Sequence, residues 1–285
     1  MMATRNQDGY VRENRQAWDS MAPIHARGSG RAFYRIDEFL AGECKLGPWE
    51  PEEVGPVAGK TLIHLQCHIG LDTLSWSRRG ARVTGLDFSG AALAEARSFA
   101  EELGEEDARF VEGMVEEASA LLEGETFDVL YTGRGALCWL PDLTVWAREC
   151  ARLVKPGGIL YLEETHPSLD LMTVVEGKED GTRLFTPHYD PFSQDAVSES
   201  SEGTYADPEA KTGMLTMHAW DHGFGEILSC LMAEGFQLEL LRERDELFFV
   251  SEEGMFEPSR PNYWRLKPGV PRFPLSYTLR MRRGG

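Results

Sequence analysis

The sequence predicts a doubly wound α/β domain, built on a mostly parallel seven-stranded sheet with a helical cap before it and an inserted lid after strand five. Three observations carry that prediction. Apolar runs of strand length alternate with amphipathic stretches of helix length between residues 61 and 165. Glycines stand where those helices should stop. After Pro167 the alternation breaks into a polar, aromatic segment, and one further helix and two further strands follow it.

The first strand is "TLIHLQ" (61–66), and "LDTLSWSRRG" follows as a helix with Leu71, Leu74 and Ser75 on one stripe and Gly80 as its stop. "ARVTGLDF" is the second strand. "SGAALAEARSFAEELG" (89–104) is the next helix, capped by Ser89 and ended by Gly104. The unit repeats as strand 108–113, helix "MVEEASALLEG", strand 127–133, helix 141–154, a "KPGG" turn and strand 158–165. Strands separated by helices of this length imply right-handed crossovers and parallel pairing. Residues 220–235 form a helix with Ile227, Leu228, Leu231 and Met232 on one face; "FQLELLRERDE" and "PLSYTLRMRR" supply the last two strands. The connection between those strands is rich in proline and carries Tyr263 and Trp264. The expected organisation is a cap over 1–58 with short helical runs, a core over 59–167 and 220–285, and an inserted substrate lid over 168–219.

Composition narrows the function classes. With 42% hydrophobic and 10% aromatic residues the 285-residue chain can bury a large core. Its net charge of -18 repels phosphate backbones and anionic lipid, so a small molecule or a cationic partner is expected, with no nucleic acid and no membrane. The five cysteines are scattered and form no CxxC pair, which argues for reduced thiols and against a zinc knuckle. The charged N-terminal stretch resembles no signal peptide, and no run of 18 apolar residues follows, so the expected location is the cytoplasm.

In open α/β sheets ligands sit beyond the carboxyl ends of the strands, where the chain order reverses. The first strand here ends in Gln66-Cys67-His68-Ile69-Gly70, and Asp87 closes the second strand, well placed to receive the two hydroxyls of a ribose. A dinucleotide would ask for GxGxxG at this turn; one glycine of the three is present. A nucleoside joined to an amino acid makes no such demand, and the Gln66 and His68 side chains could donate to its carboxylate.

The order "hLxLxCxxG", an acid ending strand two, an aromatic-containing turn after strand four and "LVKPGG" before strand five resembles the class I S-adenosylmethionine-dependent methyltransferases. It is most similar to a bacterial small-molecule branch whose first motif reads "HLQCHxGLDTLSW", and the similarity covers nearly the whole chain. That resemblance implies a Rossmann-like methyltransferase fold, with S-adenosylmethionine as cofactor and S-adenosylhomocysteine as product. It also implies in-line methyl transfer to the nitrogen or oxygen of a small acceptor. Carried over by position, Gln66, Cys67, His68 and Gly70 wrap the methionine part, Asp87 with Phe88 holds the ribose, Met114 with Val115 borders the adenine, and Thr132 with Gly133 faces the sulfonium. Two positions depart from the pattern: His64 replaces a usual acid, and Met114 stands where an aspartate often accepts the adenine amine. An N-terminal helix closing over the cofactor makes Trp18 and His25 further candidates.

A methyl acceptor with a hydroxyl needs a base. His166, directly after strand five, is the candidate, beside its plainer reading as a turn residue set by Pro167. His188, Tyr189, His218 and His222 are weaker alternatives, and His64 reads as a hydrogen-bonded core histidine. Trp18, His25, Phe33, Tyr34, Trp139, Tyr263 and Trp264 could form an aromatic lid, with core packing as the plain alternative for each. Two other functions stay open at this point. One is a cofactor-binding sensor or assembly protein without catalysis; the other is a nicotinamide-dependent oxidoreductase, which the missing glycines disfavour.

Overall fold

The computed structural model describes residues 7–176, 183–188, 190, 192–250 and 254–285. Among the described residues four helices precede the sheet: α1 (Gln7–His25), α2 (Gly28–Phe33), α3 (Ile36–Leu40) and α4 (Glu50–Val54). The alternating region then runs β1 (Thr61–Leu65), α5 (Leu71–Ser77), β2 (Arg82–Asp87), α6 (Gly90–Leu103), β3 (Arg109–Glu112), α7 (Ala118–Leu121), β4 (Phe127–Gly133), α8 (Leu143–Leu153) and β5 (Val154–Thr165). The one-turn helix α9 (Pro167–Asp170) leads into two hairpins, β6 (Met172–Glu176) with β7 (Arg183–Pro187), and β8 (Val197–Ser201) with β9 (Leu215–Ala219). Helix α10 (Phe224–Ala233) and strand β10 (Phe236–Arg244) follow. A third hairpin, β11 (Phe256–Arg260) with β12 (Tyr263–Leu266), precedes the last strand, β13 (Ser276–Arg283).

The seven-stranded sheet has the order β3-β2-β1-β4-β5-β13-β10. Strands β1 to β5 are mutually parallel, and β13 runs antiparallel between β5 and β10. Strand β1 pairs with β2 on one side and β4 on the other, so the order reverses there, and sheets of this kind place a ligand crevice at that point, beyond the ends of the strands. One face of the sheet is covered by α7, α8 and α10 through Ala118, Trp146, Cys150, Leu153, Ile227 and Leu231; on the other, Tyr131 and Tyr161 pack in one cluster with Val54 of α4 and Trp76 of α5.

Local chemistry sets the helix limits where the sequence expects it. The Ser89 hydroxyl accepts from the N–H of Ala92 at 3.1 Å, and Gly104 ends α6 at φ 68°. Asp142 caps α8 by accepting from Thr144 and Val145. Three expectations are corrected. The helix expected from Met114 to Gly124 is one 3-10 turn and the four-residue α7, because Glu123 and Gly124 both turn left-handed, at φ 51° and 75°. Met232 is 58% exposed: Ile227 and Leu231 are four apart and share the buried face of α10, and the next position points away. The proline-rich connection before the last strand contains a hairpin.

The cap holds the short helical runs expected, α2 to α4, and before them one long helix that was not. The 19-residue α1 buries Asn14, Ala17, Met21, Ala22 and His25 along one narrow stripe. Its docking rests on Asn14, whose amide pairs with the backbone of β9: Nδ2 donates to the His218 carbonyl at 2.7 Å, and Oδ1 accepts from the His218 N–H at 2.8 Å. Tyr10 stacks on the His218 ring at 4.0 Å. At its other flank, the Asp19 carboxylate accepts from the Ser89 hydroxyl and the Ala91 N–H, reaching the start of α6. Among the described residues no helix is long and apolar enough to cross a membrane.

Asn14→Ala leaves a buried backbone N–H and a carbonyl unpaired, at about 1–3 kcal/mol each. The expected loss is about 2–4 kcal/mol of unfolding free energy, read from urea titration of parent and variant; a change under about 0.5 kcal/mol would show that water replaces the amide.

Candidate active site

The turn after β1 is shaped by three left-handed residues in alternation, Gln66 at φ 57°, His68 at φ 49° and Gly70 at φ 77°. Only the last is a glycine, and the packing explains why: a Cβ at Gly70 would lie 2.8 Å from Ala96 Cβ and 3.0 Å from the Phe110 ring. At Gln66 and His68 the unfavourable backbone costs about 1–2 kcal/mol each, offset by hydrogen bonds to the turn. Gln66 Nε2 donates to the Ala136 carbonyl at 2.7 Å, the Cys67 N–H donates to the Leu86 carbonyl at 3.0 Å, and the His68 N–H donates to Asp87 Oδ2 at 2.8 Å.

Those bonds change what Gln66 can offer. Its amide nitrogen is already used, and its Oε1 is buried without a partner, so the free end of this side chain is an acceptor. The hydroxyl of Thr132, at the end of β4, is also buried and unpaired. Beside it, Gly133 is obligatory, since a Cβ there would sit 2.4 Å from the Glu163 carbonyl oxygen.

Asp87 is 6% exposed and accepts from two N–H groups at 2.8 Å, those of His68 and Ser89, tying the turns after β1 and β2 together. Each oxygen keeps a second lone pair for a ligand hydroxyl. Burial lifts this carboxyl to about 6, against the two N–H bonds that pull it down. Phe88 follows it. Met114 and Val115 begin the 3-10 turn after β3, with Val115 buried and the Gly113 N–H donating to the Asp87 carbonyl at 2.9 Å. Glu112, which sequence reasoning missed, stands level with Asp87 on the neighbouring strand and is ion-paired with Arg15 of α1.

Helix α1 brings Trp18 and His25 to this turn. His25 Nδ1 and His68 Nε2 are 3.1 Å apart, and the Trp18 ring stands edge-on to His68 at 5.3 Å and to Trp139 at 5.5 Å. Tyr34 and Phe33 join from α2 and its end, and Tyr205 of the insertion packs 4.8 Å from His25 with its hydroxyl bonded to that of Tyr34. Of the seven expected lid residues, Trp18, His25, Phe33, Tyr34 and Trp139 come together. Tyr263 and Trp264 do not: Tyr263 packs on Trp49 at 4.7 Å, and Trp264 packs against the small core of the third hairpin.

Sequence reasoning also missed an ionic network beside the crevice. Arg134, itself left-handed at φ 61°, donates to Glu163 at 3.0 Å, Glu50 at 2.8 Å and the Lys45 carbonyl at 2.8 Å, with Asp72 3.4 Å away. Tyr263 and the Trp49 indole also donate to Glu163. Burial raises the carboxyls of Glu163 and Asp72, and the neighbouring Glu50 adds to it in both; Arg134 opposes. Glu164 points to the other side of β5, where it accepts from the N–H groups of Gly135, Ala136, Leu137 and Thr165, holding the loop on which Gln66 leans. Two consecutive acids in a strand buried on both faces were the visible signal for both roles.

The candidate base His166 lies in different surroundings. Its Nδ1 faces the Ser168 hydroxyl at 2.6 Å and accepts from the Ser168 N–H, its Nε2 meets Glu243 at 2.9 Å, and Phe224 packs on the ring. His64 bonds to the Thr73 hydroxyl at 2.8 Å, and burial then Arg134 depress its titration to about 3. His218 lies between Ser198 and Glu13, and His222 between Glu226 and the Leu140 carbonyl. His188 follows β7, donating its N–H to the Leu171 carbonyl, and Tyr189 lies outside the described residues.

Residues 63–162 match the family model of a methyltransferase domain. The ubiquinone biosynthesis O-methyltransferase of Bordetella pertussis is 33% identical over 177 residues, which are 60% of this chain and 71% of that protein. The chain belongs to the class I S-adenosylmethionine-dependent methyltransferases. A second such O-methyltransferase, from Cronobacter sakazakii, is 39% identical over 144 residues, 50% of this chain and 53% of its own. The chain spans about half the length of the first curated methyltransferases it matches. A crystal structure of an S-adenosylmethionine-dependent methyltransferase from Mesorhizobium loti, 20% identical, superposes with a TM-score of 0.58 over 86% of this chain and 100% of that one, which shows the shared fold. The cofactor of this methyltransferase is S-adenosylmethionine, and the crevice fits it: an unpaired buried acceptor on Gln66 suits an ammonium, and the free lone pairs of Asp87 suit a diol.

Arg134→Ala leaves the fully buried carboxylates of Glu50 and Glu163 without their cation. It should cost about 3–5 kcal/mol in urea unfolding, and adding Glu163→Gln should restore about half; simple additivity of the two losses would show that they do not share a network.

Proposed function

We propose that the protein transfers a methyl group from S-adenosylmethionine to a hydroxyl of a small-molecule acceptor. The observation that carries this reading is the grouping at the ends of β1 and β2: a turn with an acceptor side chain and a ribose-type carboxylate, roofed by a cap of aromatic and histidine side chains. The printed names of the relatives, O-methyltransferases of ubiquinone biosynthesis, support oxygen as the acceptor atom.

Gln66, Cys67, His68 and Gly70 hold the amino-acid part, with Gln66 Oε1 receiving the ammonium. Asp87 takes the ribose beside Phe88, Met114 and Val115 flank the adenine, and Thr132 and Gly133 border the sulfur. Trp18 and His25 close the site from the cap. When bound, the cofactor supplies an electrophilic methyl group on a sulfonium. The chain's contribution is then to exclude water, to align the acceptor oxygen with the methyl for in-line displacement and to remove the hydroxyl proton. The 168–219 segment, through Tyr205, supplies the acceptor side of the wall.

Ribose hydroxyls donate best to an ionised carboxylate, and Asp87 is ionised only above about 6. Affinity for S-adenosylmethionine, measured by calorimetry, should therefore weaken as pH falls through about 6, by up to about tenfold per unit. The sign for folding is opposite. Raised in the folded state, the Asp87 carboxyl contributes stability that is full below its ordinary value of 3.8 and is lost as pH rises through about 6. In Asp87→Asn the binding profile should flatten, with affinity down about tenfold or more at pH 8. Unchanged affinity in that variant, or NAD binding in place of S-adenosylmethionine by the parent, would refute the assignment. Formation of S-adenosylhomocysteine with an added phenol separates an enzyme from a cofactor sensor.

A further inference from the structure

We infer that His25, held by His68, is the base that takes the proton from the acceptor, and that the acceptor is a phenol lying among the cap's aromatic rings. This rests on the methyltransferase reading above and goes beyond it by naming the acceptor class and the base.

His25 is fully buried, and its two ring nitrogens differ. Nδ1 meets His68 Nε2 at 3.1 Å, whereas Nε2 has no partner. An unpaired buried imidazole nitrogen is costly to the fold unless a ligand meets it. Around the ring stand groups that favour a flat aromatic ligand: Tyr205 at 4.8 Å, Tyr34 at 5.4 Å and Trp18 at 6.2 Å. Tyr205 comes from the insertion, the segment expected to cover the acceptor, and Tyr34 and Trp18 come from the cap that packs against it.

The backbone fixes the ring. His25 ends α1, and Gly30 of α2 packs so closely behind it that a Cβ there would lie 2.6 Å from His25 Cα. Burial keeps both imidazoles neutral, lowering His25 to about 4 and His68 also, so the His25 lone pair is free across the physiological range. With one proton between the pair, His25 Nδ1–H donates to His68 Nε2 and leaves Nε2 of His25 bare. During transfer the acceptor O–H proton passes to His25 Nε2, an oxygen lone pair forms the bond to the methyl carbon, and the electron pair of the broken C–S bond stays on sulfur. The imidazolium formed is stabilised through its Nδ1–H bond to His68, which is a positioning residue. Hydroxyl acidity rises as the O–C bond forms, so a weak base suffices.

His25→Asn tests this directly, since the Asn amide can replace Nδ1–H against His68 while deleting Nε2. Catechol and 4-nitrocatechol serve as probes. The expected result is a fall in kcat of about 100-fold or more with catechol and under about tenfold with the more acidic 4-nitrocatechol, with S-adenosylmethionine affinity within about threefold of the parent. His68→Gln, whose Oε1 can still accept from His25, should retain more activity than His68→Leu. Equal losses with both phenols, or a loss of cofactor affinity that matches the loss of activity, would overturn the role of His25. A parent that binds S-adenosylmethionine and methylates neither phenol would overturn the acceptor class alone, whereas a parent that does not bind the cofactor would overturn the underlying reading.

Discussion

The Asp87 carboxylate accepts from the N–H groups that begin two different turns, and the shape of the crevice follows from that double acceptance. The turn after β1 carries two non-glycine residues in left-handed backbone, a conformation the isolated chain would leave. His68 stays there because its N–H is held by Asp87, and Gln66 because its amide reaches the Ala136 carbonyl. The loop offering that carbonyl is itself pinned by three of the N–H bonds to Glu164. Two buried acids thus act as organisers of loops that would otherwise carry unpaired backbone groups. In the proposed reading the same Asp87 receives the sugar, so the scaffold and the binding function would share one side chain.

Much of the core was legible because its signals are local. Strands β1, β2 and β4 are buried on both faces and read as continuous apolar runs, and Ser89, Asp87 and Gly70 each stand at an element boundary where one residue type has a distinct physical role. The long cap helix was not legible as such. Its buried stripe includes Asn14 and His25, polar residues whose burial makes sense only once β9 and His68 are opposite them, more than 200 residues away in the case of Asn14. Tyr205 and Arg134 were missed for the same reason: an insertion tyrosine and an arginine after "YTG" gain meaning only from partners far along the chain. Gln66 was read as a donor because the sequence does not reveal that Ala136 already occupies its nitrogen.

A strongly acidic surface surrounds an interior that also buries acids. Glu50, Glu163 and Asp72 share Arg134, and Glu53 takes Arg244, so carboxylates placed beneath the cap are matched by guanidinium groups from the end of β4 and from β10. Arginine suits this work, since its planar fork can serve several carboxylates and a carbonyl at once. The network reaches the edge of the aromatic cluster, since Asp72 is near enough to Tyr34 to add to burial in raising the titration of its hydroxyl.

The cap helix is bolted at both flanks, to the inserted hairpin through the amide of Asn14 and to the first turn of α6 through Asp19. A guest molecule therefore meets a roof whose two panels share a beam, and ventilation of the chamber requires the beam to detach from at least one wall. On the proposed assignment, release at α6 would uncover the nucleoside half and release at the hairpin the acceptor half, so the relative strength of the two seams would set a timetable for loading and unloading.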